Sequence, residues 1–177
     1  VPDLYVAWHA GKSFWGNEKS LNYKSIGIEI SNPGHEHGYR KFNDKQIKSL
    51  IRITKICIKK YKIDKKNIVG HSDIAPLRKI DPGEKFPWKF LSKRKIGIWH
   101  NINSKILKSL RGINSETNLK KFVIYLKNIG YHMQYSNLND LKKIIKIFQM
   151  KFRPELIDGK LDAECYMIAK SLVNLKK

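Results

Sequence analysis

At 177 residues the chain allows one or two domains and a sizeable core, and its 41% hydrophobic content is that of a globular protein. It holds no run of about 18 apolar residues, which excludes a membrane-spanning helix, and no signal peptide is visible. The formal net charge is +21, with 21 Lys and Arg against 9 Asp and Glu in residues 1–100 and 15 against 6 in residues 101–177, so there is no separate basic tail.

In chain order, Leu4 to Trp8 read as a short strand that ends at His9 and turns at Gly11 and Gly16. From the residues alone, His9 is a hydrogen-bonded loop histidine. Residues 25–31, SIGIEIS, alternate strictly. Ile26, Ile28 and Ile30 face one way; Ser25, Gly27, Glu29 and Ser31 face the other. A mid-strand carboxylate flanked on its own face by small residues points Glu29 into a cleft, against the plainer reading of an exposed strand glutamate. Residues 32–42, NPGHEHGYRKF, form a polar loop. His35 and His37 alternate there and can chelate a metal in principle, but an exposed loop is the simpler reading, and they are left outside the site. A helix is expected from Asp44 to Tyr61, with Asn43 as N-cap and Gln46 at the capping-box position. Its Ile47, Leu50, Ile51, Thr54, Cys57, Ile58 and Tyr61 share one face at helical spacing.

Ile68-Val69 is a short apolar strand broken at Gly70, and the loop after it carries His71, Asp73, Lys79 and Asp81 among Pro76, Pro82 and Gly83. Loops at the ends of buried strands are where rigid scaffolds hold chemistry. Neutral imidazole plus carboxylate suits zinc when a third ligand and a water complete the tetrahedron, so His71 and Asp81 are a candidate metal pair. In extended backbone Lys79 points to the same side as Asp81 and sets a positive charge beside the metal. The spacing alone is weak evidence.

Beyond Trp88, a helical turn at Trp88–Leu91 and a packed segment at Ile96–Trp99 close the first unit. Residues 101–116 read as a linker. Three short helices follow, from about Asn118 to Asn128, from Asn139 to Phe152 and from about Asp162 to Leu175. Cys57 and Cys165 sit in apolar helical patterns as small buried hydrophobes rather than as a disulfide or metal site.

HSDIAPxRKxDPG followed by FPW, with AWHAG at Ala7–Gly11 and SIGIEISNPG at Ser25–Gly34 in the same order, resembles the N-acetylmuramoyl-L-alanine amidases of the type 2 amidase family, in particular the AmiD-like branch. FQMKFRPELIDGKLD resembles the consensus of the small peptidoglycan-binding domains often attached to them, with Ala163-Glu164-Cys165 where that family commonly has Thr. The resemblance implies an α/β amidase domain over residues 1–100, a mixed central sheet flanked by helices. A linker at 101–116 and an all-α three-helix peptidoglycan-binding domain at 117–177 complete the expected organisation.

The resemblance also implies zinc as cofactor, His71 and Asp81 as its ligands, Glu29 as general base and Lys79 as stabiliser of the oxyanion. Trp8 and His9 would then contact substrate or shape its groove. The substrate would be the amide between N-acetylmuramic acid and L-alanine in peptidoglycan or muropeptides, and the location the periplasm or cell envelope. Family members carry a further zinc histidine on a first strand upstream of AWHAG. The chain starts at Val1 after that point, so the first strand is expected to be missing and the chain to be a fragment, a processed product or an inactive form. The alternative is a non-catalytic peptidoglycan-binding protein. The charge also admits a nucleic-acid partner, an anionic cell-wall mesh or mere decoration of solvated faces. Without a recognition helix or stacking platform, no specific nucleic acid is expected.

Overall fold

The computed structural model describes residues 1–2, 4–114 and 119–175. The described residues are mostly helical. Their one sheet is a hairpin, β1 (Phe14–Trp15) antiparallel to β2 (Glu18–Lys19), with Phe14 opposite Lys19 and Trp15 opposite Glu18.

Helix α1 spans Asp44–Tyr61 with the expected capping box: the Asn43 side chain accepts from Gln46 N–H, and the Gln46 side chain accepts from Asn43 N–H. Ile47, Leu50 and Thr54 are buried, whereas Tyr61 at the end of the predicted stripe is exposed. Ile47 and Leu50 belong to one apolar cluster with Phe86, Trp88, Leu91 and Ile96. Helix α3 (Trp88–Ser92) supplies two of those residues.

The mixed central sheet is a correction. Leu4–Trp8, Ser25–Ser31 and Ile68–Val69 are not strands. Alternation makes a segment fit to be a strand, but a strand exists only by pairing, and among the described residues no partner strand lies beside these segments. Ile26 and Ile28, on the apolar side of that alternation, are accordingly 45% and 37% exposed.

The C-terminal helices form close to where periodicity puts them: α5 is Leu119–Ile129, α6 Leu138–Phe152 and α7 Ala163–Asn174. Asn137 and Asp162 cap α6 and α7 by accepting from Asp140 and Cys165 N–H. Asn118 and residues 115–116, part of the first expected helix and of the expected linker, lie outside the described residues. The rest of that linker contains a helix, α4 (Ser104–Leu110), whose Leu107 is buried in the core.

One apolar cluster joins Ala10, Trp15, Leu21, Ile74, Ala75 and Ile98 to Leu107 and to the buried faces of α5, α6 and α7. The hairpin docks against the turn after α5. Gly16 N–H donates to Gly130 O at 2.7 Å, and Phe14 stacks on His132. Gly130 has φ of +135°, and a Cβ there would lie 2.6 Å from the Trp15 ring, so only glycine meets both demands. Under the loops the C-terminal half carries a buried charge network. Arg153, fully buried, donates to Asp162 at 2.6 Å, and Arg111 grips Glu164 through two hydrogen bonds.

Candidate active site

The segment after Val69 opens with a helical turn and continues as the expected loop. Residues His71–Ile74 form the single turn α2, with Gly70 before it. Asp73, third in the turn, reaches back so that its Oδ2 accepts Gly70 N–H at 2.7 Å, the arrangement that satisfies an otherwise orphaned donor at a helix start. The turn stays beside the DPG corner because Ser72 N–H donates to Asp81 O at 2.8 Å. The Asp81–Pro82 peptide is cis.

This packing brings His71 and Asp81 together, with His71 Nδ1 3.1 Å from Asp81 Oδ2. The other ring nitrogen, Nε2, faces the Ala10 carbonyl at 3.3 Å. Partial burial raises the Asp81 pKa, but the His71 hydrogen bond and the charges of His71 and Lys79 outweigh it and hold the carboxyl below its ordinary value. Lys79 thus lies close enough for its charge to be felt at Asp81. If Nε2 carries the proton and donates to Ala10, then Nδ1 and the carboxylate present lone pairs to one point, and neutral imidazole with carboxylate is a donor set suited to zinc. Among the described residues no group of three or more His, Cys, Asp and Glu side chains converges for a metal. The pair therefore fits two positions of a zinc tetrahedron.

Ala10 is itself held from two sides. Its N–H donates to Asn22 Oδ1 at 2.7 Å, and its carbonyl also accepts from the Arg78 guanidinium at 2.9 Å. Arg78 further donates to Lys12 O at 3.1 Å. It ties the 10–12 loop to the motif that carries His71. Asn22, Arg78 and Asp73 were not foreseen as site-shaping residues. The signal for Asp73 was present, since an acid three positions after a glycine break is a helix-start pattern.

His9 lies against the Ser25–Glu29 segment. Its Nε2 is 2.8 Å from Ser25 Oγ, and its ring occupies the space a Cβ at Gly27 would need, 2.6 Å away. The small-residue face predicted for that segment therefore does border a side chain of the AWHAG loop. Glu29 is exposed, and no hydrogen bond or ion pair among the described residues ties it to His71 or Asp81. Trp8 is 80% exposed and meets Tyr23 edge-on.

The 32–42 loop is fastened beside the DPG corner. Tyr39 O–H donates to Pro82 O at 2.7 Å, Lys85 N–H donates to the Tyr39 hydroxyl, and His35 pairs with Glu84 at 2.9 Å. His35 stacks on Tyr39. Burial, with the nearby Glu84 charge adding to it, pushes the Tyr39 hydroxyl up to about 12.

Comparison with known proteins points to one family. The model of the Amidase_2 family, N-acetylmuramoyl-L-alanine amidase, matches residues 1–84. The chain is 36% identical to the N-acetylmuramoyl-L-alanine amidase AmiD of Escherichia coli over 180 residues, which covers 98% of the chain and 65% of the relative. It is 47% identical over 92 residues to the 1,6-anhydro-N-acetylmuramyl-L-alanine amidase AmpD of Haemophilus influenzae, which covers 50% of the chain and 47% of that relative. The chain thus spans between about half and two thirds of the length of these relatives.

Among solved structures, E. coli AmiD in complex with anhydro-N-acetylmuramic acid-L-Ala-D-gamma-Glu-L-Lys superposes with a TM-score of 0.86 at 35% identity, covering 99% of this chain and 71% of that one. AmpDH3 of Pseudomonas aeruginosa gives 0.85 at 33% identity, with 99% and 71% covered. The fold is AmiD-like although its described residues hold only a two-stranded sheet. With the motifs, the His71–Asp81 geometry and these likenesses in agreement, the chain belongs to the Amidase_2 family of N-acetylmuramoyl-L-alanine amidases, on its AmiD-like side.

Proposed function

We propose that the chain hydrolyses the amide between N-acetylmuramic acid and L-alanine in peptidoglycan or muropeptides, with His71 and Asp81 holding zinc. The observation that carries the reading is the 3.1 Å approach of His71 Nδ1 to Asp81 Oδ2 in a site where Lys79 adds positive charge. The likeness to an AmiD structure bound to an anhydro-muropeptide supports the substrate class. Zinc at this pair supplies Lewis acidity, which polarises a carbonyl and makes water more acidic.

The chain's own residues do the rest. Glu29 takes the proton of the attacking water and returns it to the leaving L-alanine nitrogen. Lys79 faces the developing oxyanion, where a fixed cation in a site shielded from water is worth most. Trp8 and His9 line the groove beside the Ser25–Glu29 segment. Residues 117–177, with α5, α6 and α7, act as a peptidoglycan-binding unit, and the protein works in the periplasm or cell envelope. Among the described residues no helix is long and apolar enough to cross a membrane.

The test is release of stem peptide from a muramyl-peptide substrate, with added zinc and with chelator. Zinc-dependent release is expected. The absence of a third metal-binding side chain beside His71 and Asp81 among the described residues favours a second reading, a peptidoglycan-binding protein without turnover. Cell-wall pull-down by folded chain with no peptide release in either condition would establish that alternative.

A further inference from the structure

Asp73 is 1% exposed and receives three donors. One is local, the Gly70 N–H. The other two come from the far end of the chain: Tyr131 O–H donates to Oδ1 at 2.6 Å, and Lys151 Nζ donates to Oδ2 at 2.5 Å. Lys151, on α6, is itself 5% exposed, and its ammonium lies 4.2 Å from the centre of the Trp88 ring. Asp73 and Trp88, two residues of the HSDI…FPW signature, thus enclose one cation delivered by another part of the chain.

A four-residue helix has no stability of its own, because the first turn costs more order than its hydrogen bonds return. The orientation of α2 is therefore set by what grips it. Besides the Ser72–Asp81 hydrogen bond and the burial of Ile74, that grip is the Asp73 carboxylate, held by Lys151 and Tyr131. His71 lies two residues earlier in the same turn, and Gly70 N–H is fixed by the same carboxylate. A buried carboxylate deprived of its ammonium has to reorganise, protonate or draw in water, and a single turn is the softest structure available to move.

We propose that Lys151 and Tyr131 are positioning residues for His71, acting through Asp73, so that the C-terminal helices complete the geometry of the hydrolytic site. This rests on the amidase reading for its functional consequence, but the geometry can be tested apart from it. The variants are Lys151→Met and the milder Tyr131→Phe. Ile168→Ala serves as control, since Ile168 is fully buried in the shared core on α7, a helix that carries none of the three donors to Asp73. All are compared at temperatures equally far below their own midpoints of unfolding.

The first readout is the pair of imidazole nitrogen resonances of His71 in metal-free protein, assigned by their loss in His71→Gln. The second is zinc affinity in competition with a chromophoric chelator. Lys151→Met and Tyr131→Phe are expected to shift the His71 ring resonances, with Lys151→Met weakening zinc binding about tenfold or more. Ile168→Ala is expected to leave the ring resonances in place and zinc affinity within twofold of the parent. Unmoved ring resonances in both Asp73-partner variants, or equal movement in Ile168→Ala, would overturn the proposal in favour of a purely structural pair. Failure of the parent chain to bind zinc or release peptide would count against the amidase reading alone, while the ring resonances would still decide the positioning role.

Discussion

His71 and Asp81 face each other at 3.1 Å across the DPG corner, and the second ring nitrogen of His71 is turned to the carbonyl of Ala10. Both contacts call for a ring N–H. A carbonyl and a carboxylate can only accept, so a cation shared by His71 and Asp81 takes the place of a proton on Nδ1, while the contact with Ala10 keeps the one on Nε2. Replacing Asp81 by Asn keeps the shape of the pair and removes its charge. Asp81→Asn should weaken zinc binding by tenfold or more with little loss of stability, since the Asp81 side chain is more than half exposed. Chelator competition and thermal unfolding of the same sample check both parts.

Glu29 and Lys79 should separate chemistry from folding. Glu29 is exposed and Lys79 half-buried, and surface substitutions of this kind usually change stability by no more than about 0.5 kcal/mol. Glu29→Ala and Lys79→Ala are each expected to lower peptide release by at least about a hundredfold, with unfolding midpoint and cell-wall binding unchanged. A variant that keeps the parent rate removes its residue from the mechanism.

Gly70 is required by packing rather than by φ. A Cβ there would lie 2.7 Å from Pro82 Cδ and 3.4 Å from the Trp88 ring. Gly70→Ala should therefore cost about 1–3 kcal/mol, the usual penalty for overpacking. It should also displace the turn that carries His71, so zinc binding falls along with the unfolding midpoint.

His100 sets an acid limit on stability. Burial, reinforced by the Lys89 charge and opposed by Glu155, lowers its pKa from 6.5 to about 4, and its Nδ1 is buried without a hydrogen-bond partner. Between those values the unfolded chain binds the proton and the folded chain does not. Stability should therefore rise with pH from about 4 to about 6.5 and level off above. Asp81 and Asp158, whose values are lowered, act in the other window, their contribution being lost as pH falls below the ordinary carboxylate range. Urea unfolding across pH 4–7 should show a smaller acid-side loss in His100→Leu than in the parent.

The helices were legible because their signals are local. Asn43 and Gln46 announce the start of α1, and the spacing of Leu141, Ile144, Ile145 and Phe148 marks the inner face of α6. The pairing of His71 with Asp81 was also accessible, from residue type and motif. The strand at Ser25–Ser31 was misread because alternation states a preference for one face, while a strand needs a neighbour that a local pattern cannot supply. The partners of Asp73 were out of reach for a related reason. Tyr131 and Lys151 lie 58 and 78 residues further on, and nothing in their immediate surroundings marks either for burial beside a carboxylate.

The shared apolar cluster has a consequence for how the protein is made. Ala10, Trp15 and Leu21 leave the ribosome about a hundred residues or more before the side chains between Phe122 and Leu172 with which they share a core. Contacts at such separation are late and slow to form. During synthesis the AWHAG loop and the hairpin must wait, with Trp15 exposed, until the segment from Phe122 to Leu172 has emerged. That interval is when aggregation threatens an unfinished chain.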